Sequence, residues 1–167
     1  MTRLALDEIA AIEAIRLLKA RYCRYFDLKQ WDRLSGLFAP GARVEGFSSV
    51  PDGTDISVFI ERVSARLGAA VTIHHVTAPE IVVQGVDAAR GIWAVADYVD
   101  LGPDHVGYGN ASERGWRGWG YYEEAYVCQD GTWRIGFMRL VRQRMTPLMA
   151  DHLRAQPGRI KPSPDWL

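Results

Sequence analysis

The hydrophobic period of this chain is mainly that of helices before Gly68 and that of strands after it. Before Gly68, apolar residues recur every three to four positions, and after it β-branched and aromatic residues predominate. The predicted helices cover residues 7–26, 30–38 and 55–67. The predicted strands cover residues 42–47, 71–83, 90–101, 115–128 and 132–144. Helices followed by a long antiparallel meander are typical of the α+β class, in which the helices cover one face of a sheet.

Turn residues indicate how the strands are connected. The Asp-Gly pair at 130–131 predicts a tight hairpin, because both residue types tolerate a positive φ. Pro79 interrupts the first long strand and predicts an edge position or a bulge. Three glycines lie within one predicted strand, at Gly115, Gly118 and Gly120. They predict either a sharp bend of the sheet or a close approach of a ligand to the backbone.

Length and charge limit the classes of protein that remain. A chain of 167 residues is expected to form a single domain, here over residues 1–150, followed by a C-terminal tail over 151–167. Twenty basic residues balance twenty acidic residues, so nucleic acid and anionic membranes are not expected partners. Cys23 and Cys128 do not form a disulfide framework, and the expected compartment is the cytoplasm.

Motifs that bind nucleotides or metals are missing from the sequence. It contains no Gly-x-Gly-x-x-Gly, P-loop, Cys-x-x-Cys or His-Glu-x-x-His pattern. His74 and His75 are adjacent, so on a strand they point to opposite faces and cannot bind one ion together. No cofactor and no metal are therefore expected.

Aromatic residues make up 11% of the chain, with six Trp and seven Tyr. One interpretation is a bulky core. The other is a pocket lined by flat side chains that also form hydrogen bonds, which suits a ring-shaped ligand. The aromatic residues expected to contact such a ligand are Tyr108, Trp93 and Trp119.

Three titratable residues near the first helix and the first long strand are candidates for chemistry. Strand alternation turns either His74 or His75 toward the covered face of the sheet, without deciding which. Asp27 follows the aromatic end of the first helix, where the helix dipole disfavours a carboxylate. It is either solvated or accepts a hydrogen bond from an imidazole.

Two further charged residues lie on predicted strands. Asp97 shares a face with Trp93, Val95 and Val99, where a carboxylate is costly without a partner. It is expected at a pocket mouth or paired with a cation. Arg142 lies on the last strand and points either inward or to a solvated edge.

The order helix–helix–strand–helix–meander, with Asp27 after an aromatic helix and Thr72-Ile73-His74 early in the meander, resembles the SnoaL-like family of the nuclear transport factor 2-like (NTF2-like) superfamily. The resemblance spans roughly residues 6–146. The enzymes of this family that the chain resembles include scytalone dehydratase, bile acid 7α-dehydratase and hexachlorocyclohexane dehydrochlorinase. It implies a cone in which three N-terminal helices pack on a curved, mostly antiparallel sheet around a deep apolar pocket.

The resemblance also implies roles for five residues. His74 matches the family's base and Asp27 the aspartate that orients it, so His75 would face away. Tyr22 matches a tyrosine of the bile acid enzyme; the dehydrochlorinase has a lysine there, so this chain departs from the dehalogenating pattern. Asp97 and Arg142 match an acidic residue and an arginine near the family's site.

The function implied is that of a cofactor-independent lyase. We expect a dehydratase that removes water from a hydrophobic cyclic hydroxy-carbonyl compound, and the resemblance further implies a dimer or trimer of the chain. Polyketide cyclisation and double-bond isomerisation remain open, because each begins with the same proton abstraction. A non-catalytic module that binds a ligand or supports assembly is the alternative from another class.

Overall fold

The computed structural model describes residues 5–102 and 113–149, which form three helices and one six-stranded sheet. The helices are α1 (Leu6–Asp27), α2 (Trp31–Ser35) and α3 (Ile56–Leu67). The strands are β1 (Phe38–Glu45), β2 (Thr54–Asp55), β3 (Val71–Val83), β4 (Ala88–Asp100), β5 (Glu113–Gln129) and β6 (Thr132–Met149). The predicted tail over 151–167 lies outside the described residues.

The strands follow the order β2-β1-β6-β5-β4-β3 across the sheet. β1 runs parallel to β6, and the other neighbouring strands are antiparallel. The three helices pack against the sheet, which is open and curved. The predicted α+β class is therefore confirmed, as is the mostly antiparallel character of the sheet. No helix of the described ranges is both long enough and apolar enough to cross a membrane.

The largest departure from the sequence prediction lies between the first and third helices. The predicted helix over 30–38 is only five residues long in the structure, and the following strand begins at Phe38 rather than at 42. Pro40 and Gly41 lie inside this strand, where Gly41 has a φ of 74° and the pairing with β6 shifts register. The left-handed conformation of Gly41 creates a bulge in β1. The Pro40-Gly41 pair, a pattern that predicts the end of an element, therefore lies within the strand.

Other turn signals behave as predicted. Asp130 and Gly131 both have positive φ, at 50° and 72°, in the hairpin between β5 and β6. Pro79 lies on the edge strand β3, where the register shifts between Thr77 and Glu80. Asp55 caps α3 by accepting a hydrogen bond from the Ser57 backbone at 3.0 Å.

The core between α1 and the sheet contains a buried charged network. Lys19 of α1 forms an ion pair with Glu124 of β5, and both side chains are 0% exposed. Glu124 also accepts a hydrogen bond from Tyr126, which accepts one from Trp93 at 2.8 Å. The Lys19 ammonium lies 3.6 Å from the centre of the Tyr122 ring, a cation–π contact. Removal of one charge from this network would leave the other buried without compensation.

We expect Lys19→Met to lower the free energy of unfolding by about 3–5 kcal/mol, because Glu124 would remain buried and unpaired. Urea unfolding measures the loss. Arg16→Met is the control, since Arg16 pairs with Glu13 at the surface and such pairs contribute about 0.5 kcal/mol or less. Equal losses in the two variants would contradict a special role for the buried pair.

Candidate active site

The end of α1 is joined to β3 by one carboxylate. Oδ2 of Asp27 accepts a hydrogen bond from the backbone N–H of His74 at 2.8 Å. Oδ1 lies 2.7 Å from Nδ1 of the His74 ring, whose side chain is 7% exposed. A carboxylate accepts only, so Nδ1 carries a proton, and in the neutral form of the ring the lone pair is on Nε2. These two bonds also satisfy a carboxylate that the helix dipole disfavours.

The shape of the helix end explains how Asp27 reaches β3. Backbone N–H groups of Lys29 and Gln30 donate to the carbonyls of Phe26 and Tyr25, and Lys29 has a φ of 61°. A left-handed residue after the helix closes it and turns the chain away. The Lys29 ammonium then donates to Oγ1 of Thr72 at 2.6 Å. Lys29 and Asp27 thus make two side-chain connections between α1 and β3.

The register of the sheet sets the neighbours of the imidazole. His74 lies opposite Asp97 on β4, and Asp97 lies opposite Gly118 on β5. The structure places His74 on the covered face and His75 on the exposed face, which resolves the choice that strand alternation left open. The ring of Phe26 packs edge-on against His74, with centroids 4.6 Å apart.

A second charged pair lies beside the imidazole. Nη1 of Arg142 is 2.5 Å from Oδ2 of Asp97, whose side chain is 2% exposed. Of the two positions expected for Asp97, the structure thus shows pairing with a cation. Arg142 is 25% exposed and points inward from β6. The pair brings a guanidinium to the same face as His74 without leaving either charge uncompensated.

These residues meet at a cavity of about 120 Å³ between the helices and the sheet. The polar groups in its wall include Tyr22, His74, Asp97, Tyr122 and Arg142. Its apolar wall includes Phe26, Phe47, Phe59, Val63, Leu67 and Leu140. Asp27 is not part of the wall and stands behind His74. An imidazole in a largely apolar cavity wall, with Nδ1 held by a carboxylate, is suited to general base chemistry through Nε2.

The phenol of Tyr22 is a hydrogen-bond donor at neutral pH. It is fully buried, and its hydroxyl has no hydrogen-bond partner of good geometry among the described residues. Burial, together with the neighbouring Tyr122 phenol, raises the pKa of Tyr22 well above its usual value. Burial likewise raises the pKa of Tyr122. Both hydroxyls therefore keep their protons and can donate to an oxygen in the cavity.

Comparison with known proteins places the chain in a family. A model of the SnoaL-like domain matches residues 7–139. The chain belongs to the SnoaL-like family. This confirms the resemblance stated from the sequence, within the NTF2-like superfamily.

Solved structures share the fold of this SnoaL-like domain. A hexachlorocyclohexane dehydrochlorinase, LinA type 2, is 21% identical with a TM-score of 0.74, and the match covers 92% of this chain and 98% of that one. LinA type 3 from Novosphingobium barchaimii is also 21% identical, with a TM-score of 0.69 over 92% and 99% of the two chains. A Novosphingobium aromaticivorans protein assigned as a scytalone dehydratase is 18% identical, with a TM-score of 0.70 over 93% and 98%. At such identities the likeness shows the cone fold.

Of the three aromatic residues predicted to contact a ligand, two lie away from the cavity of this SnoaL-like domain and the third is not described. Trp93 is 4% exposed in the core and is not among the residues that form the cavity wall. Trp119 is 40% exposed, on the outer face of β5. Tyr108 lies outside the described residues.

Trp116 lines the cavity together with Tyr122, although it was not predicted from the sequence. The signal was present in the period of β5, because residues an even number apart share a face. Trp116, Gly118 and Tyr122 therefore point to one side of the sheet and Trp119 to the other. Arg66 of α3 is another cavity residue that was missed. Among the described residues, no group of three or more His, Cys, Asp or Glu side chains could hold a metal ion.

Lys29 titrates at an unusual pH because its side chain is partly buried. Burial lowers its pKa from 10.5 to about 8, and the Asp27 carboxylate opposes this by raising it. The unfolded chain therefore binds more protons at this residue between pH 8 and 10.5. Through this group, the free energy of unfolding rises with pH in that window.

We expect Asp27→Asn to lower the pKa of Lys29 below about 8, since the variant removes the charge that raises it. The titration of the Lys29 Cε resonance by NMR measures the change. Asp32→Asn, on the exposed side of α2, is the control and should leave the Lys29 titration in place. An unchanged pKa in Asp27→Asn would contradict an electrostatic contact between the two side chains.

Proposed function

We propose that this SnoaL-like domain is a cofactor-independent lyase that removes water from a compact, hydrophobic cyclic hydroxy-carbonyl compound. The observation that carries the proposal is the pair of contacts from Asp27 to both the ring and the backbone nitrogen of His74, at 2.7 and 2.8 Å. These contacts orient the ring and occupy Nδ1, so Nε2 is the nitrogen that can accept a proton. A module that only carries a ligand does not require an oriented base.

His74 acts as the general base. Its Nε2 takes a proton from the carbon next to the substrate carbonyl, or from a vinylogous position, and the imidazolium is stabilised by Asp27. The electron pair of the broken C–H bond forms the new double bond as the C–O bond to the hydroxyl breaks. The imidazolium then returns its proton to the departing oxygen, so that water is released and the neutral ring is regenerated.

The other polar groups of the wall stabilise charge on the substrate oxygens. Tyr22 and Tyr122 keep their protons and donate hydrogen bonds to the developing enolate. Arg142 supplies a fixed positive charge near the same oxygen. Asp97 holds the Arg142 guanidinium in place, and we assign it this role in preference to protonating the leaving group.

The size and lining of the cavity support a compact substrate. An apolar cavity of about 150 Å³ accommodates a benzene ring. The cavity here has about 120 Å³, which matches a single-ring compound better than a steroid. The apolar side chains of α3 and the sheet would contact the ring, while the polar groups face its oxygen substituents.

We expect His74→Ala to lower turnover at least about 100-fold, the usual contribution of a general base. The assay follows formation of a conjugated enone by its ultraviolet absorbance, with a panel of single-ring hydroxy-ketones as substrates. His75→Ala is the matched control, because His75 lies on the exposed face. Full turnover in His74→Ala would remove His74 from the mechanism. Cyclised or isomerised products would assign a different reaction to the same base.

We expect Tyr22→Phe to lower turnover about tenfold or more while leaving the protein at least as stable. The hydroxyl has no partner of good geometry among the described residues, and a buried unsatisfied hydroxyl costs about 1–3 kcal/mol. Turnover on the same ketone panel and urea unfolding together measure the two effects. A variant that is less stable yet fully active would show that the hydroxyl serves the fold.

A further inference from the structure

Gly118 lies at the centre of the proposed site although it has no side chain. It occupies the inner face of β5, opposite Asp97 on β4 and Met145 on β6. A Cβ atom built at this position would lie 2.2 Å from Nη1 of Arg142 and 2.7 Å from Oδ1 of Asp97. The volume of a side chain at 118 is therefore already filled by the ion pair.

The path of the Arg142 side chain explains this overlap. Arg142 is paired across the sheet with Gly120, so its backbone is on β6, two strands away from Asp97 on β4. The guanidinium has to cross β5 to reach the carboxylate. It crosses above Gly118, where its Cζ would lie 2.8 Å from a Cβ atom.

The backbone itself does not require glycine at this position. Gly115 of the same strand has a φ of 156°, whereas the φ of Gly118 lies outside the positive region that disfavours other residues. A Cβ at Gly115 would meet the carbonyl oxygen of Val99 at 1.9 Å, and one at Gly120 that of Val141 at 2.0 Å. At Gly118 the nearest atoms belong to side chains. A glycine at 118 therefore leaves space for the side chains of Arg142 and Asp97.

We propose that Gly118 is a positioning residue, whose missing side chain lets Arg142 reach Asp97 and fixes the guanidinium beside His74. The catalytic part of this inference rests on the proposed lyase function; the geometric part does not. A residue with a side chain at 118 pushes the guanidinium off the carboxylate. Asp97 is then buried without its cation, and the cavity loses its oriented positive charge.

The test is a double-mutant cycle of four proteins: the unchanged chain, Gly118→Ala, Arg142→Met, and the two substitutions together. A displacement of about 1 Å in a catalytic site costs on the order of 100-fold in rate. We therefore expect Gly118→Ala to lower kcat at least about tenfold in the unchanged chain, and to lower its urea midpoint. In the Arg142→Met background the same substitution should lower both quantities much less, because the guanidinium is gone and only the 2.7 Å contact with Oδ1 of Asp97 remains.

Gly136→Ala is the matched control for a glycine in a strand. Gly136 lies on β6, and a Cβ there would meet its nearest atoms at 3.6–3.9 Å, an ordinary contact. We expect this variant to keep both the kcat and the urea midpoint of the unchanged chain.

The urea midpoints test the geometry even when no substrate is turned over, so failure of the lyase proposal is distinguishable from failure of this one. Equal losses from Gly118→Ala with and without Arg142 would overturn the inference, as would no loss in either background. Should Gly118→Ala fail to fold, folding of the double variant supports the inference. Failure of the double variant, when Arg142→Met alone folds, overturns it.

Discussion

The structure depends on how one carboxylate at the end of α1 is compensated. Asp27 lies where the helix dipole disfavours a negative charge, and two N–H groups of His74 offset that cost. The same bonds fasten the helix to β3 and set the tautomer of the ring. The contacts that compensate Asp27 at the helix end therefore also fix the position of the His74 imidazole. The same two contacts contribute to the packing of α1 and support the proposed chemistry.

Buried polar groups behind the cavity wall contact two of its tyrosines. The ammonium of Lys19 lies between the rings of Tyr22 and Tyr122, 4.2 and 3.6 Å from their centres. Its charge is balanced by Glu124, which in turn accepts from Tyr126. Because this network is closed to solvent, it fixes both tyrosine rings without occupying the cavity. Both tyrosines line the cavity.

Register and small residues complete the arrangement. His74, Asp97 and Gly118 form one row across three strands, so their spacing follows from the pairing of β3, β4 and β5. A glycine in that row admits a side chain from a fourth strand. The glycines of β5 predicted either a sharp bend of the sheet or a close approach of a ligand to the backbone. In the structure, the group that approaches Gly118 is the protein's own Arg142.

Local patterns determined the class of the fold, the hairpin at 130–131 and the bulge at Pro79, because periodicity and turn chemistry act over neighbouring residues. They failed at residues 36–41, where pairing with β6 extends a strand through Pro40. The sequence also pointed to Asp27, His74, Asp97 and Arg142. Strand alternation alone did not decide which histidine faces inward. It also did not show that Trp93 and Trp119 lie away from the cavity. Those outcomes depend on strand register and on where α1 packs, and both are set by contacts between residues far apart in the chain.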